Sequence, residues 1–144
     1  MPTSGDDAPE LLLDTSVAVA LVVGDHRHHD ATSQALADRR RLGLAGHAAF
    51  ETFSVLTRLP PPARRTPAAI ARLLESAFPH TRFLGAGAAA ALRERLGGAS
   101  IAGGSVYDAL VGAVAAEHGV TLATRDRRAL DTYRKLDVEV ELLG

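Results

Sequence analysis

Residues 11–21 read LLLDTSVAVAL. Three leucines run straight into an acid, Asp14; two hydroxyls follow, Thr15 and Ser16, and the apolar run resumes. A short apolar run of this kind predicts a buried strand. The continuation, TSVAVALVV, has too few turn residues for a loop and predicts a helix. A carboxylate at such a junction has two readings: it starts the helix as its cap, or it holds something charged.

Working outward, the same alternation repeats along the chain. LGLAG (42–46), TRFLG (81–85), VTLAT (120–124) and VEVELL (138–143) read as further strands, the last with period-two alternation. Between them lie helical segments. ATSQALADRRR (31–41) is amphipathic, with terminal arginines that suit a helix C-terminus. HAAFETFSVLTRL (47–59) places Phe50, Phe53 and Leu56 roughly on one face. Pro60 to Pro62 stop it, and TPAAIARLLESAF restarts with Thr66 as N-cap and Pro67 at the first helical position. AGAAAALRERL, SVYDALVGAVAAEHG and DRRALDTYRKL complete the set, with GGASIAGG (97–104) as a glycine-rich connector. Strands alternating with helices predict an α/β domain: a parallel sheet of five strands with helices on both faces. The domain is expected over residues 11–144, preceded by a loose polar tail over 1–10 that lacks the pattern of a secretory signal.

Composition narrows the function classes. A net charge of -1 argues against a domain that binds nucleic acid by bulk positive charge. The absence of cysteine rules out disulfides and thiolate-bound zinc and is compatible with the cytoplasm. No apolar run approaches the roughly 20 residues of a membrane span. Lys135 is the only lysine, and the arginines cluster at 39–41, 64–65 and around Asp126. Arginine suits bidentate phosphate contact.

In open parallel sheets, ligands bind beyond the carboxyl ends of the strands. Asp14 ends the first strand, and Asp126 lies just past the fourth. Asp108 falls in the first turn of the helix beginning at Ser105, and Glu51 in the first half of the helix after the second strand. Each acid also has a purely structural reading. Asp14 or Thr15 caps the first helix, Asp126 caps the RRALDTY helix, and Ser105 with Asp108 matches capping-box spacing. Glu51 shares a polar stripe with His47, Ser54 and Arg58 that can face water. Together, however, the acids converge from distant positions on one edge. Four neighbouring carboxylates repel unless a cation neutralises them. Oxygen ligands suit a hard ion, Mg2+ or Mn2+, which can polarise a phosphodiester and lower the pKa of water. Ser16 and Thr124 are placed to hydrogen-bond the ligands or water.

LLLDTSVAVAL, AAFETFSVLTRLP and SVYDALVGAVAAEHGVTLATRDRRAL together resemble the PIN-domain ribonucleases, specifically the VapC toxins of VapBC toxin–antitoxin pairs. The resemblance covers nearly all of the chain after the tail. It implies a three-layer α/β/α sandwich around a five-stranded parallel sheet. It implies a metal-dependent endoribonuclease with Asp14, Glu51, Asp108 and Asp126 as the acidic site, the last being the most variable in the family. It further implies a homodimer held inactive by a VapB antitoxin. Arg125, Arg127 and Arg128 are the candidates for RNA backbone contact.

The same residues admit other readings. HRHHD (26–30) reads as a solvated loop rather than a metal site, and GAG (85–87) as a turn rather than a phosphate loop. A haloacid-dehalogenase-like phosphatase wants a second Asp where Ser16 stands, and a receiver domain wants a lysine on a late strand. A PIN nuclease of RNA processing outside a toxin–antitoxin pair, or a binding module whose acids are caps, remain the alternatives.

Overall fold

Leu11, Leu12 and Leu13 form β1 (Leu11–Leu13), and all three are fully buried. In the computed structural model, which describes residues 7–144, Leu12 packs into one apolar cluster and Leu11 and Leu13 into a second. Successive strand residues point to opposite faces, so an unbroken apolar triplet needs cover on both sides. Full burial of each leucine contributes roughly 1.5–3 kcal/mol.

The remaining elements are α1 (Thr15–Val22), α2 (His29–Ala35), β2 (Leu42–Leu44), α3 (His47–Thr57), α4 (Pro67–Ala77), α5 (Ala86–Gly98), α6 (Ser105–His118), β3 (Leu122–Thr124), α7 (Leu130–Lys135) and β4 (Val140–Leu142). A single 3-10 turn, Arg127–Ala129, leads into α7. The strands run parallel in the order β2-β1-β3-β4. The first cluster lies under α5, α6 and α7, with Leu92, Val111, Val114 and Tyr133 among its members. The second lies under α1 and the end of α4, with Val17, Leu36 and Phe78. The chain leaves β1 toward β2 on one side and returns to β3 on the other. The gap between β1 and β3 is therefore the topological switch point.

The expected fifth strand is reduced to one bridge. Arg82 pairs in parallel with Ala45, donating to the Leu44 carbonyl (3.2 Å) and accepting from Gly46 N–H (2.8 Å). One residue earlier the ladder fails, because Leu44 N–H donates to the Thr81 hydroxyl (2.9 Å) instead of a backbone carbonyl. The segment also crosses tightly over β2: a Cβ on Gly43 would sit 2.1 Å from the His80 carbonyl oxygen. The sheet thus has four strands with a rudimentary fifth at the β2 edge.

Three smaller expectations shift. α2 stops at Ala35, so Arg39 to Arg41 lie beyond its end, and Arg39 Nη2 instead donates to both carboxylate oxygens of Glu141 of β4 (2.7 and 2.9 Å). Gly97 and Gly98 continue α5 rather than opening a loop. Ser105 does not cap α6; Gly104 occupies that position without a side-chain bond. Of the expected tail, residues 1–6 lie outside the described residues. Residues 7–10 are tied down: Arg41 Nε donates to the Ala8 carbonyl (2.9 Å), and Glu10 N–H to the Arg41 carbonyl (3.0 Å). No helix among the described residues is long and apolar enough to cross a membrane.

Candidate active site

Asp14 is the N-cap of α1 and sits at the switch point with only 5% of its surface exposed. Its carboxylate is enclosed by donors. Oδ1 accepts from the Ser16 hydroxyl (2.5 Å) and from Val17 N–H (3.3 Å). Oδ2 accepts from Tyr133 OH (3.0 Å) and, through a very short bond, from the Thr124 hydroxyl. A carboxylate has about four lone-pair sites, so the protein occupies all of them. Burial raises the Asp14 pKa, and the bonds from Ser16, Thr124, Tyr133 and Val17 pull it back down. Capping and site-building are therefore one arrangement at this residue.

Ser16 and Thr124 do more than touch the carboxylate. The Ser16 hydroxyl, while donating to Asp14, accepts from Arg125 N–H (2.9 Å). The Thr124 hydroxyl likewise donates to Asp14 and accepts from Asp126 N–H (3.0 Å). Each hydroxyl clips the end of β1 or the start of α1 to the segment after β3, which sets where Arg125 and Asp126 project.

The other acids surround this centre. Asp108 lies in the first turn of α6, half-buried, and accepts no hydrogen bond from the described residues. Its pKa is raised first by burial, then by the charges of Asp126, Glu51 and Asp14, and is partly restored by Arg128. The charges of the other three predicted acids thus all reach Asp108. The capping-box reading of Asp108 falls away, because no cap forms there. Asp126 keeps its expected cap, accepting from Arg128 N–H (2.9 Å), and pairs with Arg128 Nε (3.6 Å). Glu51 leans toward His47 Nε2 (3.7 Å) one turn back on α3. Among the described residues, no three His, Asp or Glu side chains form a ready-made chelate. Asp126, Glu51 and Asp14 each have protein partners.

Tyr133 is the residue that sequence reasoning missed. It belongs to α7, is 1% exposed, and bonds Asp14 from 119 positions away. Burial, the Asp14 charge and that bond push its phenol pKa far up, so it remains a donor. It fits there because α6 carries Gly112: a Cβ at that position would lie 2.9 Å from the Tyr133 ring. The one available sequence signal was an aromatic residue, two helical turns after Asp126, in a chain with only two tyrosines.

Of the three candidate arginines, Arg125 and Arg128 line a cavity that also contains Ser16 and Asp126, whereas Arg127 is exposed and does not line it.

Comparison with known proteins places this arrangement. The PIN domain family model matches residues 11–135. The chain is 48% identical over 132 residues to Ribonuclease VapC27 of Mycobacterium tuberculosis, covering 92% of this chain and 96% of that protein. It is 46% identical over 131 residues to Ribonuclease VapC40 of the same species, covering 90% and 96%. Solved structures share the fold at low identity. FitAB bound to an IR36 DNA fragment has a TM-score of 0.68 at 19% identity, over 92% of this chain and 94% of that one. VapBC2 from Rickettsia felis, bound to a DNA fragment from their promoter, has 0.66 at 15%, over 93% and 98%. The chain belongs to the PIN-domain family, in the group of the VapC ribonucleases.

Proposed function

We propose that this protein is a metal-dependent endoribonuclease, the toxin of a type II toxin–antitoxin pair, neutralised by a VapB-type antitoxin. One observation carries the reading: acids from four separate segments face the switch-point edge of a parallel sheet, near enough for the charges of Asp126, Glu51 and Asp14 to raise the Asp108 pKa. Caps alone do not require that convergence. Relatives named as ribonucleases at 46–48% identity support the same chemistry.

An all-oxygen set of clustered acids fits a hard divalent ion, Mg2+ or Mn2+. We assign Asp14, Glu51, Asp108 and Asp126 to hold it. Such an ion, when bound, supplies neutralising charge, polarises the phosphodiester and lowers the pKa of water. The chain's own groups do the rest. Asp108, with no hydrogen-bond donor on its oxygens, offers a free carboxylate oxygen to take a proton from the attacking water. Asp14 gains a free oxygen only when one of its donors turns away; the Ser16 hydroxyl sits in a half-buried position, unlike Thr124 and Tyr133. Thr124 and Tyr133 keep the carboxylate oriented. Water adds to phosphorus as Asp108 takes its proton, the bond to the leaving ribose oxygen breaks, and that oxygen takes a proton from solvent.

We further assign a homodimer and a cytoplasmic setting. The support for the dimer is a linked aromatic patch. Phe50, Phe83 and Tyr107 are 65%, 54% and 53% exposed. Phe50 contacts Phe83 (6.0 Å between centroids), and His47, one turn before Phe50 on α3, stacks on Tyr107 (5.1 Å). Contiguous apolar patches on a surface mark interaction sites. Phe50→Glu should halve the mass measured by light scattering; an unchanged mass refutes this assignment.

Mapping RNA ends after brief induction tests the toxin reading. New ends should accumulate with the wild type, vanish with Asp108→Asn, and be suppressed by the co-expressed product of an adjacent small reading frame. Identical ends with and without the Asp108 carboxylate would overturn it.

A further inference from the structure

A cavity of about 470 Å³ opens beside the carboxylates, sharing Ser16 and Asp126 with them. Its volume is in the range of small-ligand pockets. The loop between α1 and α2 supplies His26, Arg27 and His28 to one wall, and the segment after β3 supplies Arg125 and Arg128 to another. Three guanidinium groups and two imidazoles thus stand against one acidic side chain, Asp126, with Gly144 packed beside the Arg125 guanidinium. Neither Arg27 nor Arg125 forms an ion pair among the described residues.

Two buried polar atoms in this wall lack partners: the Thr15 hydroxyl and Arg125 Nε. A buried polar group left unpaired is costly, and native structures rarely carry one without a ligand, ion or water to meet it. Arg125 is otherwise held, with Nη1 on the Thr32 hydroxyl (3.2 Å) and its N–H on Ser16 (2.9 Å). His26 is held too. Its Nδ1 accepts from His28 N–H (3.0 Å), which leaves the proton of a neutral ring on Nε2. The two imidazoles stand 5.7 Å apart, tilted by 43°. Val19, Val55 and Leu143 add an apolar floor.

Phosphate oxygens match the arginines, and a planar base matches imidazole rings over apolar side chains. We propose that this cavity is a nucleotide subsite for the RNA strand flanking the scissile phosphodiester. Arg27, Arg125 and Arg128 hold phosphate, and His26 and His28 take a base, so the α1–α2 loop is a specificity-determining element. The proposal rests on the ribonuclease reading.

The test separates the two by measuring binding without metal. Fluorescence anisotropy of short single-stranded RNAs in EDTA compares the full chain with Arg27→Gln and His28→Ala over a salt series. Arg27 is exposed, so its replacement spares the fold. Arg27→Gln should weaken every RNA roughly tenfold and reduce the salt slope by about 0.7. His28→Ala should instead change the ranking among A-, C- and U-rich strands. In cleavage with metal, Arg27→Gln should raise KM more than it lowers kcat. Wild-type affinity, salt slope, base ranking and KM in both variants of a protein that still cleaves RNA would overturn the subsite and leave the ribonuclease reading standing. A wild-type chain that neither binds RNA in EDTA nor cleaves it with metal would sink both.

Discussion

Tyr133→Phe isolates one hydrogen bond at the centre of the site. The ring stays, so packing in the buried position is kept, while Asp14 Oδ2 loses the donor at 3.0 Å. A hydrogen bond to a charged group contributes about 1.5–3 kcal/mol, a neutral one about 1 kcal/mol. The cost therefore depends on whether Asp14 is ionised. Burial places its folded-state pKa above the ordinary carboxylate value of 3.8. The folded protein then holds that proton more tightly than the unfolded chain does. Stability falls as pH rises from 3.8 through the folded value. Tyr133 favours the ionised form, so removing it lifts the folded value further and steepens the fall. Urea denaturation from about pH 4 to about pH 8 reads this directly. The expected loss is about 1 kcal/mol at the acid end, growing to about 1.5–3 kcal/mol at the alkaline end. In an Asp14→Asn background the loss should stay near 1 kcal/mol at every pH, since the charge is gone. A loss that does not vary with pH in the wild-type background would refute the reasoning.

Other predictions bear on the acids and the packing around them. Asp108 has a raised pKa for the same reasons of sign, so its ionisation destabilises the fold as pH climbs above 3.8. Asp108→Asn should remove that slope and stabilise the protein at neutral pH by roughly 0.5–2 kcal/mol, read by thermal melts, while abolishing cleavage. Gly112→Ala should cost about 1–3 kcal/mol by overpacking against the Tyr133 ring and should lower activity with it, measured on the same preparation. Gly43→Ala should destabilise more than Gly112→Ala, because its new Cβ meets the His80 backbone carbonyl rather than a side chain; denaturant midpoints of the two variants decide the order.

What the sequence revealed follows the range of the interactions involved. β1, α1 and Asp14 were legible because an apolar run, a cap and a helix are local patterns within the segment from Leu11 to Val22. The alternation of strands and helices pointed to the parallel sheet, the strand ends to Asp14 and Asp126, and the intervening helices to Glu51 and Asp108. Ser16 and Thr124 were legible as neighbours of the acids, but their double role, accepting from the backbone after β3, depends on the β1–β3 pairing. The fifth strand failed through one hydroxyl: Thr81 intercepts Leu44 N–H, and TRFLG carries no local sign of that contact. Tyr133 was missed because only tertiary packing brings it to Asp14. That His26 to His28 share a cavity with Arg125 likewise has no local sign in the sequence.

On the proposed reading, the four acids form a metal-dependent centre for RNA cleavage. The most direct test incubates the purified chain with RNA under three conditions: Mg2+, Mn2+ and EDTA. Asp14→Asn and Asp108→Asn are run alongside, their folding checked by circular dichroism. Cleavage by the wild type with either ion, lost in EDTA and in both variants, is the predicted result. Cleavage that persists in EDTA, or in either folded variant at the wild-type rate, would contradict it.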